Sequence, residues 1–181
     1  MTWIDSVQTF WFEEIDRALW FRKSEDFDAL IRARYRAIYD QCLADFDLTS
    51  AVASAEQALA RVIVLDQFPR NMFRGSAKAF ATDPLALSVA KAVTAQNLDR
   101  GMDKNRRLFL YLPFEHSEAI ADQNRAVELI GDLGDPELLR YAVAHRDIIE
   151  RFGRFPHRNV SLGRPSTPEE IQFLQQPGSS F

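Results

Sequence analysis

Between positions 145 and 159 the chain reads HRDIIERFGRFPHRN, which sets two imidazoles and the guanidinium groups of Arg146, Arg151, Arg154 and Arg158 among Ile, Phe and Pro. An imidazole titrates near neutral pH without large perturbation, so it can give or take a proton in a reaction. A guanidinium stays charged, and its planar fork holds a carboxylate or phosphate through paired hydrogen bonds. Anion binding with acid–base chemistry is what such a mixture can do. His157 follows Pro156 beside Arg158 and Asn159, in a stretch where side chains can converge without helical constraint, and is the first candidate for a general acid or base. His145 shares a helical stretch with Ile149 one turn on, so it needs a tertiary partner. His116 adjoins Glu115 just after Pro113, and neighbours on a helix do not face each other, so that pair can meet only in a turn.

A second polar stretch, LDQFPRNMFRG, carries Asp66, Arg70, Asn71 and Arg74 among apolar residues. It echoes the first: DQFPRN and GRFPHRN both set Phe-Pro before an Arg-Asn pair, which reads as two related turns. Arginines beside Phe and Leu are partly desolvated and must be paired, with Asp66, Glu115, Glu118 and Asp147 as candidate partners. If cations outnumber carboxylates there, an outside anion completes the balance. On this reading Arg70, Arg74, Arg154 and Arg158 clamp an anion, while Asn71, Asn159 and His145 add hydrogen bonds. Asp66 and Glu115 orient the cations, and His157, with Glu115 and His116, would move protons. The competing reading is structural, with arginines placed at helix ends and paired across helices. No two histidines have the i, i+4 spacing of a helical metal site, and none is expected. The sequence names no cofactor and leaves open whether there is catalysis.

The elements that must position these groups are helices. Apolar residues recur at helical spacing along nearly the whole chain: Trp3, Ile4, Val7, Phe10 and Trp11 form one stripe, Phe27, Leu30, Ile31, Tyr35, Ile38 and Cys42 another. Ser54 with Gln57, Asp83-Pro84, Asp135-Pro136 and Thr167-Pro168 are start signals, the last strengthened by Glu170. Pro69, Asn97 with Gly101, Gly134 and Gly153 are stops. Pro113 interrupts an apolar-periodic run and should break or kink it just before the ring. The expectation is an all-α single domain over 1–181, with seven or eight antiparallel helices packed as hairpins and no regular sequence repeat.

Composition bounds the rest. The chain has 181 residues, 46% hydrophobic and 27% charged, which is an ordinary globular mixture able to bury a core. One cysteine and an acidic, signal-free N-terminus fit the cytoplasm. No apolar run is long enough to cross a membrane, and a net charge of -4 argues against nucleic acid or anionic lipid as a partner. GxGxxG, Walker A, GxSxG, HExxH and paired CxxC patterns are absent. HRD matches a kinase catalytic loop only in isolation, since no Gly-rich loop or DFG accompanies it.

Taken in order, LDQFPRNMFRG, AFATDPLAL, FLYLPFEHSE, HRDIIERFGRFPHRN, LGRPSTPEE and the closing PGSSF resemble the bacterial family catalogued as domain of unknown function 924. The likeness covers nearly the whole chain. It implies a tetratricopeptide-like helical fold in a bacterial protein and brings no activity or catalytic residues with it. Two functions therefore stand side by side. One is a handler of a small phosphate or carboxylate in an Arg/His/Asn-lined pocket. The other is a tetratricopeptide-like module for a peptide or protein partner, its polar cluster purely structural. The terminal GSSF offers Phe181 and its carboxylate as a dock for an arginine of the same or a neighbouring chain.

Overall fold

The structure, a computed structural model, describes residues 2–179. The docking expected of Phe181 lies outside the described residues. Among them every regular element is helical and there is no strand. The α-helices are α1 (Trp3–Thr9), α2 (Glu25–Ala44), α3 (Leu48–Ala51), α4 (Ala55–Val62), α5 (Phe68–Met72), α6 (Asp83–Ala95), α7 (Lys104–Glu115), α8 (Ile120–Gly131), α9 (Pro136–Phe152) and α10 (Pro168–Leu174). Because α4 runs through a π-helical turn, Ile63–Gln67, straight into α5, the described residues make nine rods against the seven or eight expected. No helix is long and apolar enough to cross a membrane.

The described chain groups into two compact units, one of residues 1–74 and 78–113, the other of 75–77 and 114–181. In the first, α2 packs on α5 and on the π turn, while α4 packs on α1 and α6. The face α2 buries is written in its spacing: Phe27, Ile31, Tyr35, Tyr39 and Cys42 recur every three or four residues. Their rings join others in one aromatic core. Tyr35 lies 4.9 Å from Phe10 and 4.8 Å from Phe68, and Trp11 lies 5.5 Å from Phe109. Two polar tips at this core find partners, Tyr35 Oη donating to Ser6 O at 3.1 Å and Trp20 Nε1 to Trp11 O at 2.9 Å, whereas the buried Trp11 Nε1 has none. In the second unit α8 and α9 form a helical hairpin, and Ile148, Ile149 and Phe155 make a small core completed by Phe152 and Phe173.

Several start signals act as read. Asp135 accepts from the backbone N–H of Glu137 and Leu138, Ser54 from that of Gln57, and Thr167 and Glu170 form a full capping box. Gly153 closes α9 in a left-handed conformation, φ 68°, that only glycine adopts at no steric cost.

Three proline readings need correction. Pro69 does not stop its helix, since α5 includes it. The π turn ahead of it shifts the ladder so that Phe68 N bonds Ile63 O, and the carbonyl four residues before Pro69, that of Leu65, takes the Thr82 hydroxyl at 2.5 Å instead. The stretch DQFPRN is thus helix, and only GRFPHRN makes a turn, a 3-10 turn at Pro156–Arg158. Asp83 does not cap α6: it is the first helical residue, and its carboxylate goes to Arg70. Pro113 does not break α7, which continues past it to Glu115. So near the terminus the ring removes one backbone bond, and Gln123 Nε2 gathers the carbonyls that follow, Glu115 O and Ser117 O at 2.6 Å each.

Candidate functional site

The residues singled out from sequence fall into both units. In the first, the helical run across the π turn carries Asp66, Arg70, Asn71 and Arg74, and carboxylates already answer its cations. Arg70 forks onto Asp83 at 2.8 and 2.9 Å and lies 3.3 Å from the fully buried carboxylate of Asp66. Arg74 forks onto Asp28 at 2.6 and 2.8 Å, and Asn71 Nδ2 donates to the same carboxylate at 2.8 Å. Asp83 and Asp28 were not among the expected partners, because they lie 13 and 46 residues away from the arginines they bind.

In the second unit a continuous polar network joins the 3-10 turn to α10. Arg154 forks onto Glu170 at 2.6 and 2.8 Å and donates to Pro165 O at 3.0 Å. Asn159 Nδ2 donates to Ser166 Oγ at 3.0 Å and its Oδ1 accepts from Arg164 Nε at 3.0 Å. Arg164 in turn forks onto Glu118, whose other contact is the Phe155 N–H at 2.8 Å. With Arg154 and the Thr167 backbone N–H donating to it, Glu170 has its carboxyl held down at about 2. Arg154 and Asn159 thus fasten the turn in place.

Beside this network lies a cluster of different character, built on Phe155, which is fully buried. The His145 ring meets it edge-on at 5.7 Å, the His157 ring sits 5.6 Å away, and the Arg158 guanidinium carbon lies 4.5 Å over its face. His145, 6% exposed on α9, sets Nδ1 2.9 Å from Tyr141 O and 3.2 Å from Glu115 Oε1. The Tyr141 carbonyl can only accept, so Nδ1 carries the hydrogen and Nε2 keeps the lone pair. Burial draws the pKa of His145 down to about 3, and electrostatic repulsion from the His116, Arg158 and His157 side chains adds to the fall. At neutral pH the ring is therefore an uncharged imidazole, held by the Tyr141 carbonyl beside the Glu115 carboxyl group. The tertiary partner His145 needed is Glu115. His116 lies in the turn that follows α7, and His157, half-buried, is the more accessible of the two rings against Phe155.

His145 and His157 thus pack on one buried ring, and His116, 41 residues before His157, acts electrostatically on His145. Nothing in their spacing foretold it. The part of Phe155 and the Tyr141 carbonyl was equally hidden, whereas the Thr167-Pro-Glu-Glu170 signature did advertise Glu170. Among the described residues no group of His, Cys, Asp or Glu has the arrangement of a metal site.

The model of a family described as bacterial protein of unknown function, DUF924, matches residues 7–178. The chain belongs to the DUF924 family. A solved structure of a protein of unknown function from Agrobacterium tumefaciens is 43% identical and superposes with a TM-score of 0.88, covering 95% of this chain and 96% of that one. At that identity the likeness extends beyond fold to family, and both proteins are of the same length class. Among curated proteins none matches the chain. Membership in DUF924 therefore carries the fold and leaves the chemistry to the geometry above.

Proposed function

We propose that the second unit binds a small anion, a phosphate or carboxylate, at the cluster of His157, Arg158, His116 and the Glu115–His145 pair. The observation that carries this reading is the packing of two imidazoles and a guanidinium on one aromatic ring, with His116 acting on His145 and with Arg154 and Arg164 already committed to Glu170 and Glu118. With those pairs set aside, the formal charges of Arg158 and Glu115 cancel while the imidazoles are neutral. An arriving anion shifts that balance and favours protonated imidazole, so anion binding takes up protons. His157 is the acid or base for any reaction the ligand undergoes, and His145 is held ready beneath it. The protein works in the bacterial cytoplasm on this reading.

A screen of phosphorylated and carboxylated metabolites by thermal shift tests it. A true ligand raises the melting temperature, binds more tightly at pH 6 than at pH 8, and loses its effect in Arg158→Gln. If no compound stabilises the chain, or if the gain is independent of pH and of Arg158, the reading is wrong.

A second reading, the tetratricopeptide-like interaction module with a structural polar cluster, draws support from the carboxylate forks on Arg70, Arg74, Arg154 and Arg164. Under it Arg158→Ala lowers stability by about 3 kcal/mol, as breaking a buried charge pair does. A binding arginine behaves otherwise, since its removal leaves stability unchanged or improved.

A further inference from the structure

Every arginine fork described so far ends on a carboxylate, but Arg61 in the first unit does not. Its residue is 9% exposed, and its Nε and Nη1 are buried with no hydrogen-bond partner. The guanidinium carbon lies 5.6 Å from the centroid of the Trp3 ring, a cation–π contact that offsets some desolvation but satisfies no N–H. Nor does a helix end account for it, because α4 runs on through the π turn to Met72 and offers no terminal carbonyls at Arg61. A buried donor left unmet is costly, and a buried guanidinium calls for a counter-charge. Arg61 lines a cavity of about 70 Å³ together with Trp3, Ile38, Gln41, Cys42 and Asp45.

We infer that this cavity is a binding site for the carboxylate of a small monoanion bearing a short apolar chain, with Arg61 as its cation. The lining selects the class. A single guanidinium matches a single negative charge, and the Asp45 carboxylate in the same wall opposes the second charge of a phosphate. Trp3 and Ile38 supply apolar surface for the carbon chain, and the Gln41 amide can donate beside the guanidinium. The ligand provides what the fold withholds, a partner for buried N–H groups. This site rests on residues of the first unit alone and is independent of the proposal for the second.

Butyrate is the probe. The chain has three tryptophans, so its indole N–H resonances can be followed by NMR in the full-length protein, with that of Trp3 identified through Trp3→Phe. The expected result is a saturable shift of the Trp3 signal, slower alkylation by iodoacetamide of Cys42, the single cysteine, and no response to sodium chloride at equal ionic strength. Arg61→Lys, which keeps the charge but loses the fork, weakens binding about tenfold or more. Arg61→Met abolishes it and raises the melting temperature, because the unmet donors disappear. Arg158→Gln leaves butyrate binding unchanged. The inference is overturned if butyrate causes no saturable shift, if phosphate acts as strongly, or if Arg61→Lys binds as well as the parent. A fall in melting temperature in Arg61→Met also overturns it, since that marks a structural arginine. A Met variant that fails to fold counts the same way.

Discussion

His145 stays neutral because its surroundings penalise a charge, with burial the largest cause and the cations around it adding to it. In the unfolded chain this ring takes its proton as pH falls through 6.5, and in the folded chain only near 3. Between those values the unfolded state binds more protons, so the stability His145 contributes above pH 6.5 drains away on acidification. From pH 7 to pH 5 the loss amounts to about 2 kcal/mol. It is read as a falling urea midpoint, and His145→Gln should flatten this part of the profile; an identical slope in the variant would assign it to another group. Carboxylates govern a lower window. Burial pushes Asp28 and Glu118 up, but Arg74 with Asn71, and Arg164 with the Phe155 N–H, more than reverse it and hold both below their ordinary 3.8 and 4.5. Their stability is present above those values and is lost as pH falls through the folded ones. Arg164→Gln should therefore move the acid-unfolding midpoint upward in pH, and a midpoint that stays put would show the fork to be idle.

Elements in this chain are decided at their ends and joints. The π turn within the α4–α5 run is where a proline and a displaced carbonyl are accommodated, and the Thr82 hydroxyl on Leu65 O is the bond that compensates for the altered ladder. Thr82→Val keeps the shape and removes that donor, which should cost about 1 to 3 kcal/mol because the carbonyl is left buried. Urea unfolding measures it, and a change near zero would mean the turn satisfies itself. At α9 the Asp135 carboxylate caps two backbone N–H groups, so Asp135→Ala should cost about 1 kcal/mol. Asp83→Ala provides the contrast at α6. Asp83 caps nothing there, and its loss acts through the largely buried pair with Arg70, so the effect should shrink at high salt less than that of Asp135→Ala, whose cap is exposed. Equal salt responses would undo this distinction.

At the scale of the whole molecule, two compact units each hold their own core, aromatic in the first and centred on Phe155 in the second. Phe68 is fully buried where α5 meets α2, 4.8 Å from Tyr35 and 5.6 Å from Trp11. Phe68→Ala should remove about 4 kcal/mol, the transfer energy of a ring plus the cavity left behind. Calorimetry checks this, and a loss under about 1 kcal/mol would mean that the core collapses into the space. Phe155→Ala carries a further consequence. It takes away the surface against which His145, His157 and Arg158 are arranged, so anion binding at that cluster should fail even where the variant remains folded. Retained binding would locate the site elsewhere.

The helical character of the chain, its apolar faces, the caps at Asp135 and Thr167 and the stop at Gly153 were all legible in sequence. Each depends on residues within a turn or two of one another, where spacing maps directly onto geometry. The prolines misled because the cost of a proline depends on what receives the carbonyl it displaces, and for Leu65 that is a hydroxyl 17 residues away. The same limit applied to the polar residues. Their types announced ion pairs, but which carboxylate answers which arginine, and that the imidazoles of His145 and His157 pack on one phenyl ring, are matters of tertiary packing. Arg61 went unmarked for the same reason: a lone arginine in an amphipathic helix has an ordinary sequence setting, and only the tertiary structure reveals that its donors are buried without partners.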